Sequence, residues 1–183
     1  MKVLELDLQS LPPGRSALET EVGPADLEVA EEQYQFTKPI RVLLDIDKGD
    51  EDIMLRGTIV APADVQCSRC LEPYEDDVNV PFSLVVHRLS AESPMLRDGV
   101  DEEGILFIPR SAASVELRDE VRSALILALP INPVCRADCR GLCPICGRDL
   151  NEGACGCEST GTDSRWAALE ALRRREPDSG RRS

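Results

Sequence analysis

Over the first two-thirds of the chain, apolar and polar residues alternate with a period of two, as in strands with one buried face. Residues 3–8 alternate in this way. Leu11-Pro12-Pro13-Gly14 ends the run, because prolines cannot extend a ladder and glycine opens a turn. Residues 15–38 show no clear period, and Glu31-Glu32-Gln33 suits either strand or loop. Residues 40–46 predict a strand followed by the turn Lys48-Gly49-Asp50. Residues 53–61 predict another, which Pro62 is expected to stop. Residues 65–67 lead into a tight segment around Cys70, and 78–87 return as a long strand. Short connections between successive strands predict an antiparallel sheet, since parallel neighbours need long crossovers.

The pattern then changes. Residues 90–104 are polar, contain proline and glycine, and read as a surface loop; 105–108 form a short apolar strand closed by Pro109. Val115, Leu117, Val121, Leu125 and Leu129 follow helical spacing, with Ile126 and Leu127 widening the stripe. This predicts a helix over 115–129, capped by Ser114, favoured by the early charge of Glu116, and ended by Pro130 and Pro133. After a cysteine-rich stretch, Trp166, Leu169 and Leu172 predict a final helix capped by Asp163 or Ser164. The expected fold class is α+β: a mainly antiparallel β-sheet domain with one packed helix, then a small Cys-rich zinc module and a C-terminal helix. The expected boundaries are 1–132 for an acidic β-rich domain, 133–175 for the module and its helix, and 176–183 for a disordered tail. No repeat on the scale of a solenoid is present.

The 183 residues suffice for one full domain and an appendage. Aromatics make up only 3%, so the core must be aliphatic. The longest apolar run, 124–131, is far short of the ~20 residues of a membrane helix. Met1-Lys2-Val3-Leu4-Glu5-Leu6-Asp7 places acids where a signal peptide needs an apolar stretch. A cytoplasmic chain without membrane partners is expected. The net charge is −13 but uneven: residues 1–132 carry −14, and 133–183 carry +1. An acidic body is unsuited to wrapping nucleic acid and suited to a basic partner.

Eight cysteines in a reducing compartment read first as metal ligands or redox thiols. Cys143-Pro144-Ile145-Cys146-Gly147 is the most specific signal. Two thiolates three positions apart on a tight turn can grip one zinc ion from the same side, with Gly147 supplying the positive φ such turns often require. A structural zinc wants four ligands, so a second pair must come from Cys155/Cys157 or from Cys135/Cys139. The spacing favours Cys143, Cys146, Cys155 and Cys157, because the eight residues between Cys146 and Cys155 let the chain turn back. Cys67 and Cys70, between two predicted strands, could join Cys135 and Cys139 in a second site. A redox role for Cys67/Cys70 is disfavoured because such dithiols belong at a helix N-terminus. Zinc that simply folds the tail is the plainest reading, since some fifty residues cannot bury a core of their own. An all-thiolate site leaves no position for activated water.

Other chemistry is sparse. His87 is the single histidine, and no Gly-x-Ser-x-Gly or phosphate-binding glycine loop occurs. Glu31-Glu32, Glu75-Asp76-Asp77 and Asp101-Glu102-Glu103 look like solvated charge runs, and the aromatics are too scattered for a base-stacking platform. No enzyme, catalytic residue or small-molecule substrate is expected.

Three stretches together resemble the YceD family of large ribosomal RNA subunit accumulation proteins. They are Cys67-Ser68-Arg69-Cys70-Leu71-Glu72-Pro73, Ile126-Leu127-Ala128-Leu129-Pro130, and the run from Cys139-Arg140-Gly141-Leu142-Cys143 through Pro144-Ile145-Cys146-Gly147-Arg148-Asp149-Leu150-Asn151. The resemblance covers most of 40–172. It implies a cytoplasmic role in the synthesis, processing or stability of large-subunit (23S) rRNA, with a large-subunit ribosomal protein, an assembly factor or rRNA as partner. Two modes of action are open: the acidic domain holds a basic protein, or the C-terminal module touches RNA through Arg136, Arg140, Arg148, Arg165, Arg173, Arg174 and Arg175. A zinc-stapled protein–protein adaptor unrelated to ribosomes is the alternative.

Overall fold

Alternation along the chain produces strands whose apolar residues all turn to one side of a sheet. The computed structural model describes residues 4–29, 31–93, 101 and 104–157. The predicted C-terminal helix and the tail lie outside the described residues. The chain divides into two compact units, Met1–Cys139 and Arg140–Ser183.

The first unit contains β1 (Glu5–Asp7), β2 (Gly14–Val22), α1 (Pro24–Leu27), β3 (Tyr34–Gln35) and β4 (Ile40–Lys48). There follow β5 (Asp52–Gln66), β6 (Pro73–Leu89), β7 (Ile105–Pro109), β8 (Ser114–Glu116) and α2 (Arg118–Ala128). The main sheet runs β2-β4-β5-β6-β7, with β3 pairing the far end of β5, and β1 pairs β8 in a separate two-stranded ladder. All pairings are antiparallel except β6–β7. The expectation of an antiparallel sheet thus holds for all but β7. The connection over 90–104 is long enough for a parallel return.

One face of the sheet carries Val42, Leu44 and Ile46 of β4, Ile53, Leu55 and Ile59 of β5, and Val80, Phe82, Leu84 and Val86 of β6, all buried. Leu6 of β1, Leu27 of α1, Val115 of β8, and Val121 and Leu125 of α2 belong to the same core. Each fully buried aliphatic side chain contributes about 1.5–3 kcal/mol. Gly57 lies in register with Leu44 and Phe82. A Cβ there would meet the Leu43 carbonyl oxygen at 1.8 Å, so β4 and β5 can approach this closely only at a glycine.

Two expectations are corrected. Pro62 does not stop its strand: β5 continues to Gln66, with Pro62 opposite Asp77. Pairing with β4 ends at Val60 and pairing with β3 begins at Asp64, so Pro62 falls where β5 has a neighbour on one flank only. The helix does not begin at 115. Ser114, Val115 and Glu116 form β8, and α2 starts at Arg118 behind Leu117, with no side-chain cap. Val115 and Leu117 lie two apart, the spacing of one strand face; on a helix they would point to opposite sides. At the other end Leu129 is extended ahead of Pro130, as a pre-proline residue prefers.

The unclear stretch 15–38 resolves into β2, α1 and β3. In the second unit the described residues 140–157 form neither helix nor strand, only turns and an isolated bridge between Leu142 and Asp149. Among its described hydrophobic residues only Cys143 is buried.

Candidate functional site

The eight cysteines gather into two groups of four. In each group the four sulfurs all lie within 4.8 Å of one another. The first group, in the first unit, is Cys67, Cys70, Cys135 and Cys139; the second, in the second unit, is Cys143, Cys146, Cys155 and Cys157.

In the first cluster, Cys67 and Cys70 sit on the turn from β5 to β6, while Cys135 and Cys139 come from the segment beyond α2. The Cys67 and Cys139 sulfurs are 3.9 Å apart, and those of Cys70 and Cys135 are 3.8 Å apart. These separations are far too long for a disulfide of about 2.05 Å. Four sulfurs at about 2.3 Å from one ion would form a tetrahedron with edges of about 3.8 Å. Cys67, Cys70 and Cys139 are buried and Cys135 is half-buried.

The neighbouring side chains fix the approach of the two chain segments. The backbone N–H and hydroxyl of Ser68 both donate to the Pro133 carbonyl. The Arg69 guanidinium donates to the carbonyls of Cys139 at 2.9 Å and Ala137 at 3.4 Å. The motif Cys67-Ser68-Arg69-Cys70 marks a candidate ligand turn in the sequence. That its two inner residues also hold the segment carrying Cys135 and Cys139 is invisible there, because those partners lie some 65 to 70 positions away.

The two Cys-x-x-Cys turns are built alike. Cys67 N–H donates to the Glu72 carbonyl and Leu71 N–H to the Cys67 carbonyl, at 3.0 and 2.9 Å. Cys143 N–H donates to the Arg148 carbonyl and Gly147 N–H to the Cys143 carbonyl, at 2.8 and 2.9 Å. The residue after the second cysteine is left-handed in both, Leu71 with φ 63° and Gly147 with φ 72°. Glycine accepts that conformation without penalty; leucine pays about 1–2 kcal/mol.

In the second cluster Cys143 is buried, Cys155 half-buried, and Cys146 and Cys157 exposed. Gly156, left-handed with φ 74°, lets the chain turn between Cys155 and Cys157. The return of the chain is tied by Leu150 N–H to the Gly141 carbonyl and by Arg140 N–H to the Asn151 side-chain oxygen. Asp149 accepts in turn from the Asn151 backbone and side-chain amides.

Crowded sulfurs divide the protons unequally. Burial raises the Cys67 thiol, but backbone N–H groups of Cys70, Cys135 and Arg69 outweigh it and hold the thiol at about 6. Burial, with the sulfurs of Cys67 and Cys139, pushes Cys135 up to about 12. In the second cluster the N–H groups of Cys146 and Ile145 lower Cys143 to about 6, while the sulfurs of Cys146 and Cys155 push Cys157 up to about 12. Each cluster therefore offers one ready thiolate and one thiol that yields its proton only to a cation. The donor sets fit a thiophilic divalent ion, and each could hold one.

Of the pairings that spacing leaves open, Cys135 and Cys139 lie with Cys67 and Cys70, and Cys155 and Cys157 with Cys143 and Cys146. Arg136, Arg140 and Arg148 are exposed, Arg136 pairing with Asp138 at 3.4 Å. Arg165, Arg173, Arg174 and Arg175 lie outside the described residues. His87 meets Asp52 through Nδ1 and lies edge-on to Phe107, with ring centroids 5.9 Å apart.

Residues 55–173, a span containing every cysteine, match the family described as "Large ribosomal RNA subunit accumulation protein YceD". The chain belongs to the YceD family. An uncharacterised protein of Mycobacterium tuberculosis is 34% identical over 141 residues, covering 74% of this chain and 65% of the relative. An uncharacterised protein of Mycobacterium leprae is 30% identical over 117 residues, 63% of this chain and 51% of the relative. In Arabidopsis thaliana, the chloroplastic YCED homolog 1, named a large ribosomal RNA subunit accumulation protein, is 23% identical over 161 residues, 76% of this chain and 50% of that protein. The chain thus spans between half and 65% of the length of these curated relatives. No solved structure matches it. Among the described residues no helix is long and apolar enough to cross a membrane.

Proposed function

We propose that this YceD-family protein is a non-enzymatic ribosome-biogenesis factor, required for the synthesis, processing or stability of large-subunit rRNA. The family match over residues 55–173, with the plant relatives' names, carries the reading. The chemistry of the chain supports a binding role. Both candidate metal groups are all-cysteine sets, and an ion held by four thiolates has no position open to water. Zinc is the ion that such closed sulfur tetrahedra suit best, and its part is structural. The first ion staples the segment beyond α2 to the β5–β6 turn, and the second holds together residues with almost no core.

Between the two modes of action, the charge favours a protein partner. The −14 of residues 1–132 suits a basic ribosomal protein or assembly factor and repels phosphate. The test is sedimentation of ribosomal particles from cells depleted of this protein. Aberrant large-subunit precursors beside normal small subunits are expected. Normal particles of both kinds would refute the ribosomal reading and leave an acidic zinc-stapled adaptor.

A further inference from the structure

In the first unit, a cleft of about 390 Å³ opens between the turn before β3 and the end of α2. Its walls are Tyr34, Leu129, Pro130 and Ile131, and Glu31 and Glu32 stand at its edge, exposed. Among the described residues only four large apolar side chains are exposed; Ile131 at 88% lines this cleft, and Leu127 at 86% lies just outside its lining. Leu127 sits on α2 between the lining residues Ile126 and Leu129. Nothing in the packing of the unit requires either residue to be apolar. The Tyr34 hydroxyl donates to the Pro130 carbonyl at 3.0 Å, and Ser68 donates to that of Pro133. The apolar wall is therefore fixed by β3 on one side and by the first cysteine cluster on the other.

We infer that this cleft is the docking site for a basic protein segment carrying apolar anchors, a partner chemistry that rests on the function proposed above. Leu127, Ile131 and the cleft wall take the anchor side chains, and Glu31 and Glu32 meet the flanking Lys or Arg. Charge selects the partner class: two carboxylates facing the apolar wall of the cleft, on a part of the chain whose residues 1–132 carry a net −14, repel a phosphate backbone and attract a cationic peptide. Apolar anchors in a charged rim are the usual division of labour at interfaces. The first cysteine cluster acquires a function beyond stability, since it holds residues 133–139 directly after the wall residues Pro130 and Ile131.

The test uses the full chain and two synthetic twelve-residue peptides, one alternating Lys and Leu, the other alternating Lys and Ser, with binding read by fluorescence anisotropy. The Lys/Leu peptide should bind at least about tenfold more tightly than the Lys/Ser peptide. The double variant Leu127→Ser/Ile131→Ser should lose that advantage, and Glu31→Lys/Glu32→Lys should weaken both peptides. All four side chains are exposed, so the variants keep the fold. Equal binding of the two peptides, or a Leu127→Ser/Ile131→Ser variant with wild-type affinity, overturns the docking site. In cells, the same double variant should fail to restore the large-subunit rRNA that the wild-type chain restores. Full restoration by the variant overturns the docking site while the ribosomal role stands. A normal rRNA ratio in depleted cells overturns the ribosomal role itself, and with it the ribosomal partner assigned to the cleft.

Discussion

Leu71 occupies the left-handed position that Gly147 fills in the second Cys-x-x-Cys turn, and it does so 53% exposed. Leu71→Gly should therefore raise stability by about 1 kcal/mol, read as a higher denaturant midpoint. A lower midpoint would mean that the leucine side chain contributes more than its backbone costs. Gly57 is the opposite case. Gly57→Ala should cost about 3 kcal/mol or more, because β4 and β5 must part to clear the Leu43 carbonyl; a midpoint within 0.5 kcal/mol of wild type would contradict that close approach. The thiols set a pH dependence with a definite sign. A metal on these clusters competes with protons for the sulfurs, so both clusters should hold it at neutral pH and lose it only in acid, below the range of about 6 in which the free Cys67 and Cys143 thiols titrate. Metal content that rises on acidification, by elemental analysis after dialysis, would contradict thiolate ligation. At this scale the sequence displays the ligand types and the short spacings, Cys67/Cys70 and Cys143/Cys146. It is silent on Leu71 and Arg69, whose roles depend on backbone conformation and on carbonyls far along the chain.

Among the elements, strands with strict alternation were legible because one buried face imposes the period: β4, most of β5 and the latter part of β6 lie where the pattern puts them. What escaped local reading was set by neighbours. Pro62 is tolerated because β5 lacks a second partner between β4 and β3, a fact about pairing and not about residue 62. Ser114, Val115 and Glu116 became a strand because β1, more than a hundred residues earlier, offers them a ladder. Cys135 and Cys139 likewise belong with the β5–β6 turn only once the sheet is formed. Stripping the two clusters of the metal proposed for them should separate these levels of support. With a strong chelator, amides of 140–157 should lose hydrogen-exchange protection, since that segment buries little more than Cys143. Amides of β4, β5 and β6 should stay protected by their own aliphatic core. Simultaneous loss in the sheet would show that the first cluster, beyond fastening the end of that unit, holds up the sheet itself.

For the whole molecule, the charge bears on the protein partner proposed above. Residues 1–132, which include the whole sheet, carry −14 while the remainder carries +1, so association with a basic partner should weaken steeply between low and physiological salt. Affinity independent of salt would contradict an electrostatic contribution. The family was legible in the cysteine motifs and the Leu-Pro end of α2, whereas the partner is not written in any motif and has to be read from surfaces that only folding assembles. The measurement closest to the central claim is the ratio of large- to small-subunit rRNA in cells depleted of this protein, with and without the wild-type chain supplied in trans. The account predicts a selective fall in large-subunit rRNA that the wild-type chain reverses. A ratio that does not move on depletion would contradict it.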